Sequence, residues 1–538
     1  MSAESPPDTR HRIRPSTRLG LAGALLVYTG LVLLWLVTQP LFLTGDESAH
    51  VDYAFELTQG NIPLVESPMS REFPKLGQAG EHQYVSNHPP AYHALVGPLV
   101  WSAEASDHPR AFLLLARAVT AGLGAAVLLT LAATTVTLLR WVPRERAVAM
   151  IATVSLAGSL AATASNSASI RNDILTVLMV CATVLVLARA VRTGQGPVTV
   201  GLVATLCTLG MLTRIAFLPV WLLAIGAVAA LEFWPSLRCR RPGVTELLRG
   251  VLAALVVLVV PLLGAGWFYA LSMRRYGDLT GGSAVYPRVA DREYVAGAED
   301  GPLAYMLQPS TWWAQIKQLG GAPSSLAGDV SLIHPVLGIA VVGILLLCMG
   351  AAALQVLRRR GLLDVPARWI LVGLATVAAA TYAEMAWHVS HKGVDSQRYL
   401  LNGIGLWAIG AAVVLVSLPR RLVPYLVTLL AGVLSVGSVS GAVISLQRRT
   451  ESVGGDWFQT LVHGAELSGF PAAQLVVALL LIVLPVGLVL QLVALRRLDA
   501  APTLAGGDWT PPQPSDSRST RGASVGTRTS TVEQRGHQ

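Results

Sequence analysis

Long apolar segments separated by short polar ones extend along most of this sequence. We predict a membrane-spanning helix wherever roughly 17 to 25 mostly apolar residues run together, because that length crosses the hydrocarbon core of a bilayer. The pattern predicts such helices at residues 20–43, 111–139, 147–165, 173–190, 197–212, 216–233, 250–272, 334–356, 368–388, 399–418, 422–446 and 471–495. It therefore predicts an all-α polytopic membrane protein, a bundle of about 12 transmembrane helices.

The composition agrees with this prediction and excludes a soluble protein. Hydrophobic residues make up 53% of the 538-residue chain and charged residues only 13%, and the mean hydropathy is +0.55. Soluble globular chains carry about 25% charged residues, so one or two soluble cores could not bury this much apolar surface. The four cysteines show no spacing typical of a metal site or an extracellular disulfide framework.

The positive charge is distributed in a way that predicts the orientation of the chain. The net charge is +9, and alternate short loops contain most of the arginines. These are Arg140, Arg144, Arg146, Arg189, Arg192, Arg238, Arg240, Arg241, Arg249, Arg358, Arg359, Arg360, Arg368, Arg420, Arg421, Arg496 and Arg497. By the positive-inside rule these loops and both termini face the cytoplasm of a cell inner (plasma) membrane, and the charge does not indicate nucleic-acid binding.

The polar segments differ in length and predict how the chain is organised. Residues 1–18 and 499–538 lack aliphatic runs and predict disordered cytoplasmic tails. Between them we predict a transmembrane catalytic module over residues 19–446, with two long extracytoplasmic loops at 44–110 and 273–333. A last outer loop and a C-terminal transmembrane helix follow over residues 447–498.

Candidate chemistry begins with "TGDESAH", residues 44–50, directly after the first predicted span. If residues 45–56 form a helix, Asp46, His50 and Tyr53 lie at i, i+4 and i+7 on one face, whereas Glu47 points to the side. We expect one carboxylate to be presented to a ligand and the other to be held by neighbours. The alternative is that the acidic pair only caps or solvates the end of a helix.

A histidine in the first long loop is a second candidate. In "NHPPAYHAL", residues 87–95, His88 precedes two prolines, which favour an extended backbone and then the start of a helix. Held in this way on the outer surface, His88 could line a pocket. It could equally be an ordinary loop histidine.

Charged residues near the ends of several predicted spans form the third set of candidates. The segments "SNSASIRNDILTV", "GMLTRIAFLP" and "HKGVDSQRYLLNGIG" contain Arg171, Asp173, Arg214, Lys392, Arg398 and Tyr399. An arginine among apolar residues is costly unless it is paired or faces a polar cavity, so each indicates a functional site. Several cations beside an exposed carboxylate predict a phosphate site next to a base. Alternatively, an arginine reaches the headgroups, or Asp173 or Asp395 makes it a structural ion pair.

The order of these motifs resembles the GT-C superfamily of membrane glycosyltransferases. The resemblance covers residues 20–446 and includes DE-x-x-H after the first span, HPP-x-Y in the first loop, RND before the fourth span, "WFYALSMRRYGDLTG" and "QRYL". It is similar to bacterial members related to protein O-mannosyltransferases and to the aminoarabinose transferase of lipid A. A related bacterial membrane family has "GRYL" followed by a proline, whereas this chain has Gln397 and lacks the proline.

The resemblance implies a function and a set of site residues. Such enzymes take a sugar from a polyprenyl-phosphate donor in the bilayer and transfer it to an extracytoplasmic glycan, lipid or protein in envelope biogenesis. Asp46 and Glu47 would be catalytic, with Asp46 as the base. The donor-binding residues would be His50, Tyr53, His88, Arg171, Asp173, Arg214, Lys392, Arg398 and Tyr399. No cofactor or metal ligand is required, although Asp46 and Glu47 leave a divalent metal ion open.

Two other classes of function remain open. A transporter or flippase for lipid or polysaccharide needs polar residues at depth in several spans, and the predicted spans contain few besides Arg214, Glu384 and His388. A non-catalytic scaffold of an envelope assembly complex would tolerate loss of Asp46. The chain has no P-loop, G-x-G-x-x-G or H-E-x-x-H motif, so nucleotide-dependent and zinc-protease mechanisms have no support.

Overall fold

Helices form the protein throughout the part of the chain that is described. The computed structural model describes residues 14–42, 45–69, 83–139, 143–238, 243–285, 297–312, 343, 350, 363–393, 397–449 and 456–500. These residues contain no β-strand, which confirms the predicted all-α class. Within them the residues up to Asp499 form one compact unit.

Seventeen helices have defined bounds in the described residues. They are α1 (Pro15–Thr38), α2 (Gly45–Thr58), α3 (Ala91–Glu104), α4 (Pro109–Leu138), α5 (Pro143–Ser159), α6 (Ala161–Ser167), α7 (Asp173–Thr193), α8 (Pro197–Met211), α9 (Leu218–Arg238), α10 (Val244–Tyr276), α11 (Gly282–Val285), α12 (Pro302–Leu307), α13 (Val365–Ser390), α14 (Ile404–Ser417), α15 (Val423–Arg449), α16 (Trp457–Leu467) and α17 (Ala473–Ala500). Two 3-10 turns, Ile215–Phe217 and Gln397–Gly403, precede α9 and α14.

Nine helical segments of the described chain are long and apolar enough to cross a membrane. They make this a multi-pass membrane protein, but the predicted number of twelve spans is not confirmed. The predicted span at 147–165 breaks at Leu160, where α5 and α6 meet at a bend of 66°. The predicted span at 197–212 is the 15-residue helix α8, and the one at 334–356 lies outside the described residues apart from the single positions 343 and 350.

The first and last helices cross at a point where neither could carry a larger residue. A Cβ atom at Gly23 of α1 would lie 2.7 Å from the carbonyl oxygen of Gly487 in α17. A Cβ atom at Gly487 would lie 2.9 Å from the carbonyl oxygen of Gly23. Small residues at such a crossing allow two membrane helices to approach through their backbones. This contact joins the two ends of the described chain.

The two helices of the first long loop, α2 and α3, pack against each other and against α4. Their shared faces bury a cluster of apolar residues that includes Val51, Phe55, Tyr92 and Val96. The helix α3 begins directly after Pro90, as the two prolines predict. The first turn of α2 is therefore held against the helical bundle, and the side chains of that turn have fixed directions.

Candidate active site

A cavity of about 1180 Å³ lies where the ends of several membrane-spanning helices meet. Three spans begin at it, at Asp173, Ile215 and Arg398, and two spans end at it, at Tyr276 and Ser390. The first turn of α2 and residues 84–89 supply a further wall. The ionisable and aromatic side chains of the lining are Asp46, His50, Tyr84, His88, Asp173, Arg214, Asp278, Glu384, Trp387, His388, His391, Arg398 and Tyr399.

Asp46 is the carboxylate that the first turn of α2 presents to this cavity. It forms an ion pair with Arg398 and accepts a hydrogen bond of 3.0 Å from the Tyr84 hydroxyl. Burial raises the pKa of the Asp46 carboxyl. The charges of Arg398 and Arg171 lower the same pKa by more, so it lies well below its usual value. Asp46 is therefore ionised at neutral pH.

Two arginines lie against one tyrosine ring beside Asp46. The guanidinium carbon atoms of Arg214 and Arg398 are 4.9 Å and 5.1 Å from the centroid of the Tyr399 ring. Arg214 forms an ion pair with Asp173 at the start of α7, and Arg398 donates a hydrogen bond of 3.2 Å to the Tyr399 hydroxyl. Each arginine thus has a carboxylate partner, and for Arg214 that partner is Asp173, one of the two that the sequence left open. Asp395 lies outside the described residues.

Glu47 does not line the cavity, although it follows Asp46 directly. Its two oxygens accept hydrogen bonds of 2.8 Å and 2.6 Å from the guanidinium of Arg117. They also accept hydrogen bonds from the backbone N–H groups of Ile170, at 3.0 Å, and Phe42, at 3.1 Å. Burial raises the pKa of Glu47, but Arg117 and these hydrogen bonds lower it overall. The geometry gives Glu47 a structural task and brings only Asp46 to the cavity.

Three histidines form a buried group next to Asp46. His50 and His88 line the cavity, and the Nδ1 atom of His50 lies 2.8 Å from the Nε2 atom of His93. Asn172 donates a hydrogen bond of 3.1 Å to the Nδ1 atom of His88. Burial lowers the pKa of all three histidines, that of His93 to about 3. They are neutral at physiological pH and add no positive charge for a phosphate.

Three predicted donor-binding residues do not line the cavity. Tyr53 is fully buried, and the centroid of its ring lies 4.3 Å from that of His93. Arg171 acts on the cavity through its charge, which lowers the pKa of Asp46, and its Nε atom has no hydrogen-bond partner within the described residues. Lys392 follows the end of α13 with a left-handed backbone conformation, φ 62°.

Several residues of the site were not among the predicted site residues. Tyr84 occupies a polar segment whose composition gives no sign of a role, and Asn172 belongs to the RND motif but was not assigned a role. Arg117 carried a usable signal, because an arginine in the middle of an apolar helix needs a buried partner. Glu384 carried the same signal as an acidic residue within an apolar span.

The described residues contain no group of three or more His, Cys, Asp or Glu side chains that could hold a metal ion. The pair Asp46 and Glu47, which left a divalent metal open, diverges: one carboxylate binds Arg398 and the other Arg117. Neither is therefore positioned to share a cation with the other.

No family model matches this chain, and no curated protein matches it. Among solved structures it is similar to the Archaeoglobus fulgidus oligosaccharyltransferase in the apo form, with 14% identity and a TM-score of 0.41. The match covers 82% of this chain and 57% of that chain, so this protein spans little more than half the length of the archaeal enzyme.

The chain is also similar to ArnT from Cupriavidus metallidurans. The apo structure of ArnT matches with 12% identity and a TM-score of 0.43, over 88% of this chain and 76% of that chain. The structure of ArnT bound to undecaprenyl phosphate matches with 12% identity and a TM-score of 0.44, over 90% of this chain and 77% of that chain. At these identities and TM-scores the likeness assigns neither an activity nor a substrate.

Proposed function

We propose that this protein is a membrane glycosyltransferase that moves a sugar from a polyprenyl-phosphate donor to an extracytoplasmic glycan, lipid or protein in envelope biogenesis. One observation carries the proposal: an ionised carboxylate, Asp46, and two arginines, Arg214 and Arg398, line one cavity where the ends of membrane-spanning helices meet. A lipid-linked phosphate can reach this level from the bilayer. This transfer requires a base for the acceptor hydroxyl and cations that stabilise the leaving phosphate.

The chemical step assigns a role to each of these groups. The acceptor hydroxyl gives its proton to Asp46 while its oxygen forms a bond to the anomeric carbon of the sugar. The bond from that carbon to the donor phosphate breaks, and polyprenyl phosphate leaves with the electron pair. Arg214 and Arg398 stabilise the charge that develops on the phosphate, because a guanidinium can donate two parallel hydrogen bonds to its oxygens.

The ion pairs at the cavity add a condition to this mechanism. Asp46 holds Arg398, and Asp173 holds Arg214, so a phosphate must compete with or join these carboxylates. When phosphate takes Arg398, Asp46 loses a strong partner and its pKa rises, which makes it a better base. We infer that donor binding precedes activation of the acceptor. Tyr84 keeps Asp46 in place during this exchange through its hydrogen bond.

The direct test uses purified protein in nanodiscs with a polyprenyl phosphate. Wild type should bind the lipid phosphate, and both Arg214→Gln and Arg398→Gln should bind it more weakly while folding normally. Mass spectrometry of envelope glycans and glycoproteins from a strain lacking the protein, beside one carrying Asp46→Asn, should then reveal the same missing sugar. Unchanged lipid-phosphate affinity in both variants would contradict the proposed donor site and favour the flippase or scaffold functions.

The orientation of the site is part of the proposal and has its own experiment. We propose an inner (plasma) membrane location with both termini in the cytoplasm, on the basis of the arginine-rich loops. Ser283 lies in the cavity lining, so a cysteine introduced there should react with an impermeant reagent from outside the cell. Native Cys239, in a basic loop, should react only after the membrane is broken. Labelling of Cys239 in intact cells would show that the orientation is the reverse of the proposed one.

A further inference from the structure

Four carboxylates line the cavity, and three of them have partners within the protein. Asp46 is paired with Arg398 and Asp173 with Arg214. The carboxylate of Asp278 accepts hydrogen bonds from the backbone N–H groups of Thr280, Gly282 and Ser283 in its own loop. Glu384 is the fourth: no hydrogen bond or ion pair within 4 Å joins its carboxyl group to any residue that the structure describes, although the charge of Arg214 acts on it.

The position of Glu384 makes this lack of hydrogen bonds informative. Glu384 lies in α13, a helix apolar enough to span a membrane, where an ionisable side chain without hydrogen bonds is costly. Its carboxylate faces the cavity, so a ligand in the cavity can supply the missing hydrogen bonds. His388 and His391, four and seven residues further along the helix, line the cavity on the same face.

An aromatic surface accompanies Glu384 on this wall. The side chain of Trp387 also lines the cavity and is 60% exposed, with its ring centroid 4.6 Å from that of His391. Ligand pockets typically combine such apolar aromatic surface with a few polar groups that fix orientation. A sugar ring offers both complements, a face of C–H groups and a rim of hydroxyls.

The same wall touches the proposed phosphate position. The Nε2 atom of His388 lies 3.3 Å from the Tyr399 hydroxyl, and the Tyr399 ring lies against both Arg214 and Arg398. A phosphate held by the two arginines would therefore place the sugar attached to it next to the Glu384 face. With the phosphate on the two arginines, Glu384 would meet the hydroxyl-bearing part of the donor, from which carboxyl oxygens accept hydrogen bonds.

We propose that Glu384 is a specificity-determining residue that accepts hydrogen bonds from hydroxyl groups of the transferred sugar, with Trp387 against the face of that sugar. This inference rests on the proposed function and extends it from the phosphate of the donor to its sugar. The two oxygens of the Glu384 carboxyl group suit two neighbouring hydroxyls, from which they can accept hydrogen bonds. A site built in this way rejects sugars that lack the hydroxyls.

The test compares a donor with and without its sugar. Wild type, Glu384→Gln and the control Glu246→Gln, which lies outside the cavity lining, are placed in nanodiscs. Their affinities are measured for polyprenyl phosphate and for polyprenyl phosphates carrying mannose, glucose, arabinose, a deoxy form of each, or an amino sugar. Wild type and Glu246→Gln should bind one hydroxyl-bearing donor about tenfold or more tightly than sugarless polyprenyl phosphate. Glu384→Gln should lose that gain and keep the affinity for polyprenyl phosphate.

The other outcomes separate this inference from the function on which it rests. Wild type that does not bind polyprenyl phosphate overturns the proposed function and the inference together. Wild type that binds polyprenyl phosphate but gains nothing from any sugar overturns the inference alone. So does a Glu384→Gln protein that keeps the gain, or that loses affinity for the sugarless lipid to the same extent. A gain found only with the amino sugar shows that Glu384 binds a cation, and a gain that survives with the deoxy forms shows that it does not recognise hydroxyls.

Discussion

Asp46 and Glu47 are neighbours in the chain, each is paired with an arginine, and the two pairs nevertheless lie in opposite environments. The side chains of Glu47 and Arg117 are 0% and 1% exposed, whereas those of Asp46 and Arg398 are 28% and 17% exposed. Successive residues of a helix point about 100° apart, so one side chain enters the packed bundle and the other the cavity. The buried pair of Glu47 and Arg117, here called the closed pair, fixes the backbone. The pair of Asp46 and Arg398, here called the open pair, remains available to a ligand.

The largest effect in this comparison should follow from breaking the closed pair. Glu47→Gln leaves the guanidinium of Arg117 buried without a counter-charge, which we expect to cost about 3–5 kcal/mol of stability. Thermal unfolding of the protein in detergent measures this loss. Asp46→Asn serves as the control and should cost less than about 1 kcal/mol, because its pair is partly exposed. Equal unfolding temperatures for the two variants would remove the distinction between a closed and an open pair.

The open pair should instead dominate activity. Asp46→Asn keeps the shape of the side chain, but an amide cannot take the proton from the hydroxyl of the acceptor substrate. Sugar transfer from a polyprenyl-phosphate donor should therefore fall by about 100-fold or more. A discontinuous assay with radiolabelled sugar measures this change in well-folded protein. Asp107→Asn, an exposed aspartate outside the cavity lining, is the matched control and should transfer normally. Near-normal turnover by Asp46→Asn would exclude Asp46 as the base.

A smaller effect should distinguish the geometry of Arg398 from its charge. Arg398→Lys keeps the charge but loses the fork that reaches both Asp46 and Tyr399, and its affinity for polyprenyl phosphate should fall by about tenfold. The control is Arg144→Lys, because Arg144 and its partner Asp499 are 18% and 27% exposed, almost the same as the open pair, and lie elsewhere. Equal affinities in the two lysine variants would mean that the fork of Arg398 does not bind the donor.

The smallest expected effect is a displacement between two pH profiles. In the free protein the pKa of Asp46 is lowered, so kcat/KM should show no acid limb from this group between roughly pH 5 and 8. Bound phosphate draws Arg398 away and raises the pKa of Asp46, so the acid limb of kcat should lie at a higher pH than that of kcat/KM. Steady-state rates measured from pH 8 down to the lowest pH at which the protein stays folded compare the two limbs. Coincident limbs would indicate that Asp46 keeps Arg398 during the reaction.

Part of the candidate site could be predicted from local sequence. The spacing of Asp46 and His50 placed them on one helix face, and both line the cavity. Tyr53 shares that face, but it lies two turns further along α2, where residues of the first loop cover it. The periodicity of a helix gives direction but not depth, and depth depends on which segment covers the next turn.

The pairing of charges could not be predicted in the same way. Arg214 and Asp173 lie 41 positions apart, Arg398 and Asp46 lie 352 positions apart, and Arg117 and Glu47 lie 70 positions apart. Any of several carboxylates could have satisfied each arginine, because the cost of an unpaired charge requires a partner without specifying which one. The choice depends on distances that exist only after the helices have packed.

The sequence by itself determined that this is an all-helical membrane protein, because the length and apolarity of its segments decide whether they can leave water. It also determined where the polar groups had to gather, since charges are tolerated only near the ends of such helices or against partners. Only the tertiary structure decided that Asp46 faces a cavity while Glu47 is closed off, and that Glu384 alone of four lining carboxylates has no hydrogen bond or close ion pair among the described residues. Hydrophobicity is a property of each segment, whereas pairing is a property of the packed bundle.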